Sequence, residues 1–212
     1  IPSRARILCR RVVPESFIMK VTFSHNSTKA GQLMKKLKNF SIKAGWFENA
    51  KYGDNKSVAG IAAVQDGGAT ISHPGGTPYK FGADGKVVFV EKGTPNPAGV
   101  TQPHTIVIPP RPFMKPSVED NKEDFVGQIE QISRKFLNGE ISEQQAAEMI
   151  GAEAAGNIKK AIAKVNAPPL KASTVRRKRS GYADTETTGS LTKPLVGSGH
   201  LLETVDYQAE LK

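Results

Sequence analysis

Cysteine occurs once, at Cys9, in a chain of 212 residues. A lone thiol excludes an intramolecular disulfide framework and a cysteine zinc knuckle, and it fits a chain made in a reducing compartment. Long apolar runs are missing as well. The longest, such as residues 87–90, are strand-sized, whereas a helix crossing a bilayer needs ~20 apolar residues, so no membrane association is expected. The four histidines, His25, His73, His104 and His200, stand far apart in sequence with no HExxH or His-x-His spacing, and no metal site is expected. Ser198 lies between two glycines, but neither the full nucleophile-elbow pattern nor a preceding strand accompanies it, so turn formation accounts for it better. No catalytic residue, no cofactor and no enzyme activity are expected.

What the chain has is a core and an uneven charge. With 38% hydrophobic residues it can bury one domain's interior. The formal net charge is +10. Residues 1–20 hold Arg4, Arg6, Arg10, Arg11 and Lys20 against Glu15 alone, and residues 171–179 hold Lys171, Arg176, Arg177, Lys178 and Arg179 with no carboxylate. Such clusters suit a polyanion or an acidic partner surface, or form a solvated face. Base reading is not indicated, because the single Trp46 and the few tyrosines do not interleave with the basic runs.

Residues 1–18 are basic and interrupted by Pro2 and Pro14, the wrong build for a signal-peptide core, and read as an extension ahead of a domain spanning 19–212. They carry too little apolar surface to dock by themselves, so a neighbouring chain is expected to order them. Helical spacing of Leu33, Met34 and Leu37 after Ser27-Thr28 predicts a helix over 28–39. A strand is expected at 41–48, followed by a tyrosine turn and a short helix from Ser57 to Gly67. Residues 68–107 read as an inserted loop bearing one β-hairpin arm around Asp84-Gly85.

After a proline corner, VIPPRPFMKPSVEDN, two long helices are expected. The first begins near Ser117, places Phe125, Ile129, Ile132 and Phe136 on one face and stops at Asn138-Gly139. The second opens with a capping box, Ser142 and Gln145, and its Ala- and Gly-rich surface lets a neighbour approach closely. A short helix capped by Ser173 or Thr174, a mobile polar loop at 180–193, another short helix and a final strand with Tyr207, Ala209 and Leu211 on one face complete the chain. The fold class is therefore α+β, a small antiparallel sheet packed against two long helices.

In order, IKAGWFENAKYGDNKSVAGIAAVQDGG, IPPRPFMKPSVEDN, NAPPLKASTVRRKRSG and TKPLVGSGHLLETVDYQ resemble the tail-completion or neck proteins of long-tailed bacteriophages. The resemblance covers most of residues 41–208. Where the family has an acidic-aromatic-glycine step, this chain has Asp66-Gly67-Gly68 without the aromatic, and its longer span up to the corner means nothing is carried onto the arm. The resemblance implies a structural virion subunit, assembled in the host cytoplasm, that forms a homo-oligomeric ring, commonly sixfold, where the tail tube meets the head connector around the DNA. A tail-terminator ring and a free basic DNA-binding protein are the alternatives.

On this reading Arg111, Phe113, Tyr79, Phe81, Val87 and Phe89 are the candidate subunit or partner contacts. Phe113 also anchors the corner in the core, and Arg111 either meets an acidic group across a subunit contact or caps carbonyls within its own subunit. Arg10, Arg11, Arg176, Arg177, Lys178 and Arg179 are the candidates for contact with passing DNA or an acidic partner.

Overall fold

The computed structural model describes residues 4–10, 17–24, 40–53, 55–83, 85, 87–179 and 191–211, with backbone alone over 4–10, over most of 17–24, and at 40, 177 and 211. The helix expected over 28–39, Arg11, Asp84 and residues 180–190 of the expected mobile loop lie outside the described residues. The chain divides into two compact units, one made of residues 1–67 and 110–212, the other of Gly68–Pro109.

In the larger unit, strands β1 (Arg4–Arg10), β2 (Phe17–Ser24) and β3 (Phe40–Trp46) join the C-terminal strand in one antiparallel sheet, in the order β1, β2, β3, C-terminal strand. The boundary expected at residues 18 and 19 therefore falls inside β2. Cys9 stands opposite Met19 and Arg10 opposite Ile18. Residues 4–10 are a strand of the main sheet rather than an appendage, because main-chain pairing holds a segment whose apolar surface is too small to dock unaided.

A tight turn follows β3, with Asn55 at positive φ (61°) and a bridge between Lys51 and Ser57. Helix α1 (Val58–Gly67) starts where Ser57 Oγ accepts from Gly60 N at 3.1 Å, so Ser57 caps the helix from the residue before it. The other unit comes next: β4 (Ala69–His73), β5 (Pro78–Phe81), β6 (Val87–Phe89), β7 (Gly99–Val100) and β8 (His104–Ile108). The expected hairpin is present as β5 and β6, but the insert is more than one hairpin. Strand β7 pairs on the other edge of β5, and β4 with β8 makes a separate two-stranded ribbon.

Past the corner, the one helix expected from Ser117 is two, α2 (Met114–Glu119) and α3 (Lys122–Leu137). Asn121, at φ −121° and ψ 21°, leaves the helical region and divides them. Helix α3 begins with Glu123 and Asp124 at the positive dipole end and stops at Asn138, with Gly139 at φ 75°. Helix α4 (Glu143–Lys164) carries the expected capping box: Gln145 N donates to Ser142 Oγ at 3.2 Å and Ser142 N to Gln145 Oε1 at 2.8 Å. Helix α5 (Ala172–Arg179) starts ahead of Ser173 and Thr174, which lie inside its first turn rather than capping it. A short α6 (His200–Glu203) leads into β9 (Asp206–Leu211).

Helix α4 packs on β3 and β9, and α2 and α3 pack on α4. The neighbour that its small residues admit is internal. A Cβ on Gly151 would stand 2.3 Å from the ring of Tyr207 on β9, so only glycine lets strand and helix come this close. Ile42, Ala44 and Trp46 of the central strand are buried with Phe125, Ile129 and Ile132 of α3 and with Ile150, Ile158 and Ile162 of α4. Trp46 satisfies its indole by donating Nε1–H to Leu201 O at 2.9 Å.

Candidate functional site

The proline corner is an internal joint. Its prolines hold the main chain extended, and Gln65 and Asp66 near the end of α1 receive it. Gln65 O accepts from Arg111 N at 2.8 Å. The Arg111 side chain then turns inward: Nε donates to Pro168 O at 3.2 Å and a terminal nitrogen to Gln65 Oε1 at 3.4 Å. Arg111 is 7% exposed, and burial lowers its pKa from the ordinary arginine value by penalising the charged form. Of the two roles open to it, the geometry takes carbonyl capping within its own subunit. Phe113 is fully buried, edge-on to Trp46 with ring centroids 5.7 Å apart. It is the expected core anchor; as a partner contact it is corrected, since no face of the ring reaches the surface.

Asp66 completes the joint, and sequence reasoning missed its part. One carboxylate oxygen, Oδ1, accepts from Phe113 N at 2.8 Å and from Met114 N at 3.0 Å. Helix α2 has no cap from the Phe113 side chain, and Pro116 in its first turn brings no N–H. The cap therefore comes from 47 residues back in the chain. The signal was an acidic residue at the end of a helix, where it is out of place beside the negative dipole end unless something else claims it.

In the arm, the four sequence-predicted contact residues converge. Tyr79 is opposite Phe89 and Phe81 opposite Val87 in the β5–β6 register, which puts all four on one face. Tyr79 and Phe81 meet edge-on at 5.8 Å. The Tyr79 ring also covers Gly99 of β7, where a Cβ would lie 2.7 Å from its hydroxyl. Phe81 and Phe89 are each 62% exposed and Val87 50%.

The basic segment does not act as a block. Lys178 is 4% exposed and turns inward, donating from Nζ to Lys193 O at 2.6 Å and to Val196 O. Burial lowers its pKa. As a contact for DNA or an acidic partner Lys178 is therefore corrected to a brace that ties α5 to the turn before α6. Arg176 and Arg179 are exposed. Arg10 is described only as the last residue of β1, and of Arg177 only the backbone within α5 is described.

Two histidines that are distant in sequence are neighbours in space. His73 and His104 face each other across β4 and β8, their rings stacked 4.9 Å apart. His73 Nδ1 accepts from Gly75 N at 3.0 Å, which fixes its role as an acceptor in a turn. Among the described residues no three His, Cys, Asp or Glu side chains gather as a metal would require. Gly199, at φ 86°, starts α6, and Ser198 Oγ accepts from His200 N, as the turn reading of that serine implies. No helix among the described residues is long and apolar enough to cross a membrane.

No family model, curated protein or solved structure matches this chain. What the chain is for thus has to be argued from its own surfaces. Ten large hydrophobic residues are exposed among those described, and eight of them belong to Gly68–Pro109: Ile71, Phe81, Val87, Val88, Phe89, Val100, Ile106 and Val107. Exposure of single apolar residues is ordinary, whereas such concentration in one small unit is not.

Proposed function

We propose that this chain is a structural subunit of a tailed-phage virion, assembling as a homo-oligomeric ring at the head–tail junction, where the tail tube meets the head connector. The arm carries the reading: a small unit that holds, on thin β-sheet, most of the exposed large apolar side chains among the described residues suits a subunit completed by its neighbours. The resemblance of the residue 41–208 motifs to tail-completion or neck proteins supplies the place in the virion. In this role the subunit performs no catalysis and needs no cofactor. Exposed Arg179 and Arg176 then offer non-specific phosphate contact to DNA passing through the ring.

The test is assembly. Purified chain is imaged for rings by electron microscopy and added to particles arrested before head–tail joining. Rings that bind tails or heads and restore joining are expected. A chain that stays monomeric and binds one DNA sequence tightly at high salt would instead be a free DNA-binding protein. Rings that cap growing tubes and set their length, without joining heads, would make it a tail terminator.

A further inference from the structure

The main sheet ends in two edges of opposite character. Among the described residues β1 has only β2 beside it, and β9 only β3. An open edge leaves a row of main-chain N–H and C=O groups able to pair with another strand. The two edges match in length, seven residues in β1 and six in β9. They also run in opposite directions, because three antiparallel pairings separate them. A second copy that continues the sheet in the same sense therefore sets its β1 antiparallel to β9 of the first.

Register assigns the residues of each edge to the two sides of the sheet. Buried Ile42 and Ala44 mark the core side, which Tyr207 and Ala209 share on β9, and Ile7 and Cys9 on β1. Lys43 marks the other side. There β9 places Asp206, Gln208 and Glu210, all exposed, and β1 places Arg4, Arg6, Leu8 and Arg10. One edge is thus basic and apolar on the same two sides on which the other is acidic and apolar. A single register satisfies both: Arg6 opposite Glu210 and Arg10 opposite Asp206, with Ile7 opposite Ala209 and Cys9 opposite Tyr207 on the core side. Opposite charges across a ladder stabilise and like charges destabilise, which turns β1 away from a second β1 and toward β9. Glu210 has Lys43 3.4 Å away and Asp206 Oδ1 accepts from Tyr207 N, but an ionised carboxylate has about four acceptor sites and takes a further donor.

We infer that β9 of one copy pairs with β1 of the next, continuing the main sheet across the subunit contact. Such a contact is heterologous and forms a ring when the rotation between copies closes. The inference rests on the self-assembly proposed above and names one of its interfaces.

Disulfide trapping on the full chain, with Cys9→Ser in the background, tests it. Leu8 and Gln208 stand opposite each other in this register, so Leu8→Cys with Gln208→Cys should bridge under mild oxidant into a ladder of multimers. Within one chain β1 and β9 lie three strand spacings apart, about 14 Å, well beyond the ~7 Å between Cα atoms that a disulfide spans, so each bridge joins two copies. Arg4→Cys with Gln208→Cys, four residues out of register, should stay monomeric on denaturing gels. In sedimentation equilibrium, Arg6→Glu with Arg10→Glu, and separately Asp206→Lys with Glu210→Lys, should each weaken self-association about tenfold, and all four together should restore it. Self-association without bridging of the Leu8→Cys, Gln208→Cys chain, or equal bridging of the shifted pair, overturns the edge contact and leaves the ring reading standing. Failure of the fourfold variant to recover also overturns the edge contact. Bridged copies that never join heads to tails overturn the ring reading alone, and a chain that is monomeric at every concentration overturns both.

Discussion

Asp66 and Phe113 are joined by a 2.8 Å hydrogen bond from the Phe113 main chain to a carboxylate oxygen that also holds Met114 N. Through it, the end of α1 caps the start of α2, and the aromatic ring between them is fixed against Trp46. Replacing Asp66 with alanine leaves two N–H groups without their acceptor and should cost about 1–2 kcal/mol. Asp66→Asn keeps an oxygen in place and should cost less. Thermal unfolding of the two variants checks this, and equal melting temperatures for Asp66→Ala and wild type would remove Asp66 from the joint.

The corner should fail in two degrees. Phe113→Ala empties a fully buried site and should cost about 3–5 kcal/mol. Arg111→Ala removes bonds to Pro168 O and Gln65 and should cost about 1.5–3 kcal/mol, a stability loss in the isolated subunit. Urea unfolding of both variants measures the pair. An Arg111→Ala subunit that is fully stable yet cannot assemble would return the arginine to a role between subunits.

Two glycines of α4 should respond with opposite sign. Gly151→Ala drives a methyl into Tyr207 and should destabilise by about 1–3 kcal/mol. At Gly156 a Cβ meets nothing within 4 Å, so Gly156→Ala should stabilise by roughly 0.5–1 kcal/mol through helix propensity. Calorimetric melting of both variants decides, and a Gly151→Ala subunit at least as stable as wild type would contradict the close packing of β9 on α4.

Adjacent cations in α5 should separate by function. Lys178→Met leaves Lys193 O and Val196 O without their donor and should lower the melting temperature, with salt-sensitive DNA binding unchanged. Arg179→Ala should do the reverse, because the side chain is exposed. Melting curves together with DNA titrations at two salt concentrations compare them.

On the arm, Phe81→Ser with Phe89→Ser removes two exposed rings, so the subunit should keep its stability to within about 0.5 kcal/mol per site. Assembly should be lost. Light scattering of the variant reads this directly, and full assembly with both rings gone would show that the arm face is not a contact.

The features legible in the sequence are those whose partners sit within a turn or two. Ser142 and Gln145 are three residues apart, so their capping box is written locally, as is the stop at Asn138-Gly139. The alternation in β9 shows in Tyr207 and Ala209, each partly covered between exposed neighbours, because a strand's period of two is a backbone property. The cross-strand face of Tyr79, Phe81, Val87 and Phe89 follows from the same period and a short turn. Tertiary structure decided the rest. Lys178 reads as a surface cation, and Arg111 stays open between a subunit contact and a cap, until carbonyls 15 and 57 residues away claim them. Asp66 reads as the last turn of a short helix until the second helix it caps arrives, and His73 meets His104 only when β4 and β8 pair. In each case the deciding partner is a main-chain group or a ring brought near by folding, and neither residue type nor spacing encodes which distant one it is.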